Sequence, residues 1–254
     1  MKVIVTGSGT SQGIPVIGCD CAVCRSRNPK DKRLRASVYI ETGRLKLVID
    51  TSVDFRQQML RNKLYDIDAV LFTHHHVDHI FGFDDIRQIN QQQKKIIDIY
   101  GSRRTVKELK ITFRYALDKE LIRYKCVPIF RSHFVSGKKF KIRDTEIIPI
   151  KLKHGHLDIL GYRINDFAYI TDCSHIPENE FLKLKNLKVL IINALRRRPH
   201  PTHFSVEEAV NNARRINAEM TYLTHMTHDI PHNKTNKILP QNIRLSYDGL
   251  IINI

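Results

Sequence analysis

The feature that most constrains this chain is a short apolar run, Ala69-Val70-Leu71-Phe72, that stops at Thr73-His74-His75-His76-Val77-Asp78-His79. A brief apolar run ending in a ligand-rich segment reads as a buried strand that gives way to a loop. Residues 74, 76, 78 and 79 fit the spacing His-x-His-x-Asp-His. Alternate side chains of an extended backbone share a face, so His74 and His76 leave the chain on the same side. Asp78 and His79 follow as the chain bends into the next element, where they can serve a second metal ion close by. A tag remnant does not explain the run, which is interior, preceded by a strand and interrupted by Val77 and Asp78.

A second ligand-rich stretch lies earlier, at Gly18-Cys19-Asp20-Cys21-Ala22-Val23-Cys24. Three thiols in one compact loop suit tetrahedral Zn²⁺, with a fourth ligand drawn from elsewhere. The other cysteines are Cys126 and Cys173. An odd total with three clustered favours metal ligation over disulfides. The 254 residues suffice for one large domain, so a single domain over 1–254 is expected, with a zinc loop at about 18–30. The net charge is +16. It reads either as attraction for phosphates or nucleic acid, or as a basic surface with no such partner. The basic residues look scattered, except Arg196-Arg197-Arg198, just ahead of a candidate catalytic histidine. No apolar run approaches the roughly 18 residues of a membrane span. Met1 to Thr6 reads as a strand with no signal-peptide pattern, so the expectation is a cytoplasmic protein without a membrane partner.

In chain order, residues 2–6 read as a strand and Gly7 to Gly13 as a tight loop. Ser37–Glu41 and Leu45–Ile49 read as a hairpin, and Asp54 as the cap of a helix to about Asn62. Asp50 is either a partner of the histidine loop or a turn residue. A helix over 84–93, a strand over 96–100 and a helix from about 102 follow. Residues 111–150 are the least legible, with helix suggested near 113–122 and short strands at 140–142 and 146–150. His133 reads as a surface residue without a partner. His154 stands at a strand end, ahead of strands at 160–164 and 167–170, the latter ending at Thr171-Asp172. Lys188–Asn193 is an apolar strand. Ser205-Val206-Glu207-Glu208 is a capping box opening a helix to about Asn217, so His203 sits on the loop entering a helix N-terminus. Met220–Thr224 is a strand delivering His225, with His228 three residues later. Asp248-Gly249 reads as a hairpin turn between 243–247 and 250–254. The strands group as about 2–49 with 68–100, and about 140–193 with 220–254.

Through Leu71-Phe72-Thr73-His74 and Asp78-His79-Ile80-Phe81-Gly82, the chain resembles the metallo-β-lactamase superfamily. The resemblance implies an α/β fold, the four-layer αββα sandwich, with metals at one edge between the two sheets. It implies His74, His76 and His154 as ligands of one metal, Asp78, His79 and His225 as ligands of another, and Asp172 as the bridge. Asp78 counts as catalytic as well. Two cations roughly 3.5–4 Å apart neutralise both the attacking and the leaving oxygen of a phosphate ester. Zn²⁺ or Mn²⁺ suits such a mixed nitrogen and carboxylate set. His203 is the candidate general acid and His200 its rival.

The cysteine loop and Leu223-Thr224-His225-Met226-Thr227-His228 narrow the resemblance to the PhnP-like phosphoribosyl cyclic phosphodiesterases of phosphonate catabolism. That family implies a structural zinc on Cys19, Cys21, Cys24 and His228, beside two catalytic divalent metals. It implies a dinuclear phosphodiesterase acting on 5-phospho-α-D-ribosyl 1,2-cyclic phosphate, or on a related sugar or nucleotide diester. Arg197 is the expected contact to that small phosphorylated substrate, and a homodimer is left open. The likeness covers most of the chain and is loosest over 100–140. One alternative is a tRNA 3′-processing endonuclease of the ribonuclease Z type, favoured by the charge. Its RNA-gripping arm has no room here, because His154 and Asp172 are 18 positions apart. Nucleic acid is therefore not the expected partner. The other alternative is a non-hydrolytic pyrroloquinoline-quinone biosynthesis protein, which shares the cysteine loop but has eroded metal positions, whereas all seven are present here.

Overall fold

The computed structural model describes residues 1–254. Six strands arrive first: β1 (Lys2–Gly7), β2 (Ser37–Thr42), β3 (Leu45–Ile49), β4 (Ala69–Leu71), β5 (Ile97–Gly101) and β6 (Phe130–Phe134). Seven more follow: β7 (Phe140–Ile142), β8 (Thr145–His154), β9 (Leu157–Ile164), β10 (Phe167–Ile170), β11 (Val189–Asn193), β12 (Met220–Thr224) and β13 (Ile243–Leu245). The last, β14 (Leu250–Asn253), returns to the first group. The result is two seven-stranded sheets, β14-β1-β2-β3-β4-β5-β6 and β13-β12-β11-β10-β9-β8-β7.

Period-two alternation sorts the side chains into layers. In β11, Val189 and Ile191 enter the core between the sheets, while Leu190 and Ile192 face outward. In β3, Leu45, Leu47 and Ile49 point inward and Val48 outward. Helices cover both outer faces. Phe55 and Met59 of α1 (Phe55–Arg61), Ile80 of α2 (Val77–Ile80), Ile86 and Ile89 of α3 (Ile86–Gln93), Leu109 of α4 (Arg103–Thr112) and the partly buried Leu121 and Ile122 of α5 (Lys119–Arg123) pack on the first sheet. Ala209, Ala213 and Ile216 of α6 (Val206–Ile216) pack on the second. This is the expected four-layer αββα sandwich. The capping box forms as read: the Ser205 N–H donates to Glu208 Oε2 at 2.7 Å, and the Glu208 N–H to Ser205 Oγ at 3.3 Å.

Several local expectations are corrected. Asp248-Gly249 is a turn but not a hairpin, because β13 pairs with β12 in one sheet and β14 with β1 in the other. The Asp248 side chain is buried and accepts from the N–H groups of Ser8 and Leu34 and from Ser8 Oγ, so it closes a long-range junction rather than a local turn. Asp54 does not cap α1 through its side chain. Its carboxylate accepts from the Arg35 backbone at 2.8 Å and pairs with Arg35 Nη1 at 3.0 Å. Within 111–150 the edge strand β6 was not foreseen. His133, on β6, is half-buried, with Nε2 2.7 Å from Asp98 Oδ1 and its ring stacked on Tyr100. No helix is long and apolar enough to cross a membrane.

Candidate metal centre

The site lies where strand ends from both sheets meet. β4 runs into the histidine loop, and two hydrogen bonds tie that end to the second sheet. The Tyr162 hydroxyl donates to Phe72 O at 2.8 Å, and the Leu160 N–H to Thr73 O at 3.0 Å. His154 is the last residue of β8. Asp50, Asp172 and His225 each follow a strand end (β3, β10 and β12) with φ of 64, 56 and 58°. A left-handed residue breaks the strand direction at once and swings its side chain across the edge. For non-glycine residues this costs roughly 1–2 kcal/mol, and three such residues in one cluster mark a place where packing imposes the geometry.

Four groups of donor atoms result, each with all atoms within 4.8 Å of one another. His74, His76 and His154 form one; Asp78, His79, Asp172 and His225 form the second. Cys19, Cys21, Cys24 and His228 form the third, remote in sequence yet adjacent in space. The fourth, His154, Asp172 and His203, overlaps the first two and makes His203 a possible ligand as well as a candidate acid, an overlap the sequence reading did not raise. Asp172 sits at the junction, 3.1 Å from both His79 Nε2 and His225 Nε2 and 3.0 Å from His203 Nε2.

The residues fit metal ions by their hydrogen bonding. One ring nitrogen is anchored outside the cluster in three of the imidazoles. His79 Nδ1 is 2.8 Å from Asp50 Oδ2, His154 Nδ1 is 2.7 Å from Thr202 O, and His74 Nδ1 is 3.0 Å from Thr73 Oγ1. The other nitrogen then faces inward, because a hydrogen bond on one ring nitrogen fixes the tautomer and turns the free nitrogen toward a metal. Nε2 of His74, His79 and His225 is buried and makes no hydrogen bond of good geometry, although Asp172 oxygens lie 3.1 Å from the last two. Buried polar atoms are otherwise nearly always paired, so these orphans are what a cation would satisfy. The charges agree. Burial opposes a charged His79, yet Asp172, Asp78 and Asp50 outweigh it and hold the imidazole well above its usual range, a proton standing where a cation's charge belongs. Burial likewise works against the Asp172 carboxylate, but His225 and His79 overcome it and keep it well below the carboxylate range. His203 is lowered to about 4, chiefly by burial and against the pull of Asp172. At the cysteine loop, His228 Nδ1 lies 3.1, 3.5 and 3.6 Å from the three sulfurs. Tetrahedral zinc, with bonds of about 2.1 Å to nitrogen and 2.3 Å to sulfur, sets that edge at about 3.6 Å.

Asp50, left open between two roles, is fully buried and accepts from the Thr73 N–H (2.8 Å), Thr73 Oγ1 (2.7 Å) and His79. Its substitution by alanine is expected to weaken metal binding about 10- to 100-fold, because the His79 ring loses the carboxylate that orients it. Competition against a calibrated chelator measures this, and wild-type affinity would reduce Asp50 to a turn residue. Arg197 does not join the cluster. It is exposed, and its Nη2 donates to Thr235 Oγ1 at 3.2 Å. Lys153, next to His154, is paired with Asp158 at 2.6 Å.

The family model for the beta-lactamase superfamily domain matches residues 46–226. A protein named octanoyltransferase, from Porphyromonas gingivalis, is 38% identical over 254 residues, covering 98% of this chain but 51% of its own length. The chain spans about half the length, or less, of the curated relatives it matches. Among solved structures, a diphosphatase from the PhnP family superposes with a TM-score of 0.93 at 39% identity, over 100% of this chain and 97% of that one. Zinc-bound PqqB from Methylobacterium extorquens superposes at 0.78 over the full length of both chains, but at 16% identity it shares the fold alone.

Proposed function

This chain belongs to the β-lactamase superfamily, and on that premise we propose that it is a metal-dependent phosphate-ester hydrolase whose substrate is a small cyclic phosphate diester. The observation that carries the reading is the junction at Asp172, where two donor groups meet and buried imidazole nitrogens converge on its carboxylate without well-formed hydrogen bonds. Divalent cations held by His74, His76 and His154, and by Asp78, His79, Asp172 and His225, would polarise phosphoryl oxygens and acidify water. Zinc or manganese suits these donors, and zinc the cysteine loop.

The protein's own groups do the rest. Asp50, Thr73 and Thr202 O fix ring orientations, so the ligands are in place before substrate arrives. His203 Nε2 stands beside Asp172 at the rim of the cluster, with His200 Nδ1 3.3 Å from its other nitrogen. From there it can pass a proton to the departing oxygen. An incoming phosphate adds negative charge in the same sense as Asp172 and favours the protonated ring. The ribonuclease Z reading is the weaker one. Between His154 and Asp172 the chain forms only β9, β10 and the two tight turns that join them to β8 and to each other, with no arm to grip a folded RNA. Diphosphate cleavage is a second reading, supported by the name of the 39%-identical neighbour.

The leaving group separates these readings. A sugar alkoxide needs a proton to depart, whereas p-nitrophenolate or a phosphate does not. His203→Ala is expected to keep its metals and to slow an alkyl or cyclic diester by about 10²–10⁴, while aryl diesters and diphosphates lose little. Elemental analysis alongside kcat/KM decides the role. Lost metal would make His203 a ligand, and equal loss on every substrate would promote His200. Wild-type protein should open a cyclic ribose phosphate faster than it cleaves a diphosphate or the 3′ end of a pre-tRNA, and the reverse order would move it to one of the other readings.

A further inference from the structure

Charge is not spread evenly over this chain. Residues 87–143 carry sixteen Lys and Arg against four Asp and Glu, and so hold +12 of the net +16. This corrects the reading of a scattered basic surface. The stretch folds into α3, β5, α4, α5, β6 and β7, at the edge of the sandwich where β6 and β7 each close a sheet.

Four clefts run along this edge and share walls. One of about 370 Å³ beside α3 shares Lys95 and Ile96 with one of about 470 Å³ against β5. That cleft shares Tyr100 and Lys141 with a third of about 430 Å³, which shares Phe134 with a fourth of about 530 Å³ against α4. Thirteen Lys and Arg side chains line the series. Asp68 and Asp98 are the only acids in its walls, and both are paired, with Arg143 at 2.5 Å and with His133 at 2.7 Å.

Aromatic faces lie among these cations. Phe134 is 55% exposed at the end of β6, with the Arg103 guanidinium 4.7 Å over its ring. His133, Tyr100 and Phe140 form a nearly parallel stack with centroid spacings of 4.5 and 5.1 Å, in the wall of the third cleft. A second copy of the chain would bring like charge against like. An acidic protein would satisfy the cations but has no special use for ring faces. A strand of nucleotides uses both, phosphates along the cations and bases against the rings.

We infer that this edge binds single-stranded nucleic acid, with its phosphates along the lysines and arginines of the joined clefts and its bases against Phe134 and the His133-Tyr100-Phe140 stack. The binding is separate from hydrolysis. None of these residues belongs to the metal cluster, and the missing arm still argues against turnover of a folded RNA.

The test is fluorescence anisotropy of the full, metal-loaded chain with a labelled RNA strand about 20 nucleotides long. The same RNA as a duplex and a polyglutamate peptide of equal charge serve as comparisons. Affinity should fall with salt at a log–log slope of about −3 or steeper, the release expected when four or more phosphates are neutralised on a single strand. Lys138→Glu combined with Lys141→Glu should weaken binding at least tenfold, and Phe134→Ala about five- to tenfold for the single strand. Both variants should keep wild-type diester hydrolysis and melting temperature. If the double variant fails to fold, Phe134→Ala and the salt slope still decide. The inference is overturned by no binding at low salt, by equal binding of polyglutamate or duplex, or by variants that bind RNA like wild type.

Discussion

Asp172→Asn is expected to lower kcat/KM for a phosphate diester by about 10³–10⁴, or roughly 4–5.5 kcal/mol of barrier, while the melting temperature moves little. Asparagine keeps the volume of the side chain and tolerates the left-handed φ of 56°, so the backbone has no reason to rearrange. What is lost is one negative charge at the point where His79, His203 and His225 converge within 3.0–3.1 Å. The donor groups remain but no longer balance, so metal content should fall in parallel with activity. Elemental analysis and steady-state kinetics on the same preparation check both halves. A variant holding its full metal complement and within tenfold of wild-type rate would remove Asp172 from the centre of the site.

The second large effect is on stability. Cys21→Ser is expected to lower the melting temperature by about 10 °C, from a loss on the order of 3 kcal/mol spread over a chain of this size. The four donors at 19, 21, 24 and 228 join loops more than two hundred positions apart, so a metal there cross-links nearly the whole chain. The same junction is held by the Arg33 guanidinium, which donates to Thr227 O at 2.9 Å and Ile230 O at 2.6 Å, and by backbone pairing of Ser8 and Thr10 with Met226. Those bonds keep the loops together, so the variant should remain folded. His225 lies three residues from the substituted site's partner His228 and should shift, lowering activity modestly. A mild chelator should strip the catalytic cluster, which keeps an open position, before a zinc held by the cysteine loop, which elemental analysis should find surviving in the folded protein. A Cys21→Ser protein that melts like wild type but has lost all activity would instead give the loop a catalytic role.

Much of this was local, and so visible in the sequence. The apolar run at 69–72 followed by His-x-His-x-Asp-His carries its meaning in near-neighbour spacing, as do the three clustered thiols and the Ser205–Glu208 capping box. The unbroken apolar run of β11 marked a strand buried on both faces, which implies layers on both sides. What the tertiary structure decided was partnership. Asp248-Gly249 announced a turn, but no pattern within 243–254 says that the strands on either side enter different sheets, because pairing depends on which edges lie open when the sheets close. Asp50 was ambiguous because His79, its partner, lies 29 positions away, and only the β3–β4 pairing brings them to 2.8 Å. The left-handed turns at Asp172 and His225 are unfavourable locally and exist because the packed strands leave those side chains no other way into the cleft. The basic edge is the same lesson in electrostatics. Its cations are spread over more than fifty residues, and they form one surface only because β5, β6, β7 and α4 fold onto a single margin of the sandwich.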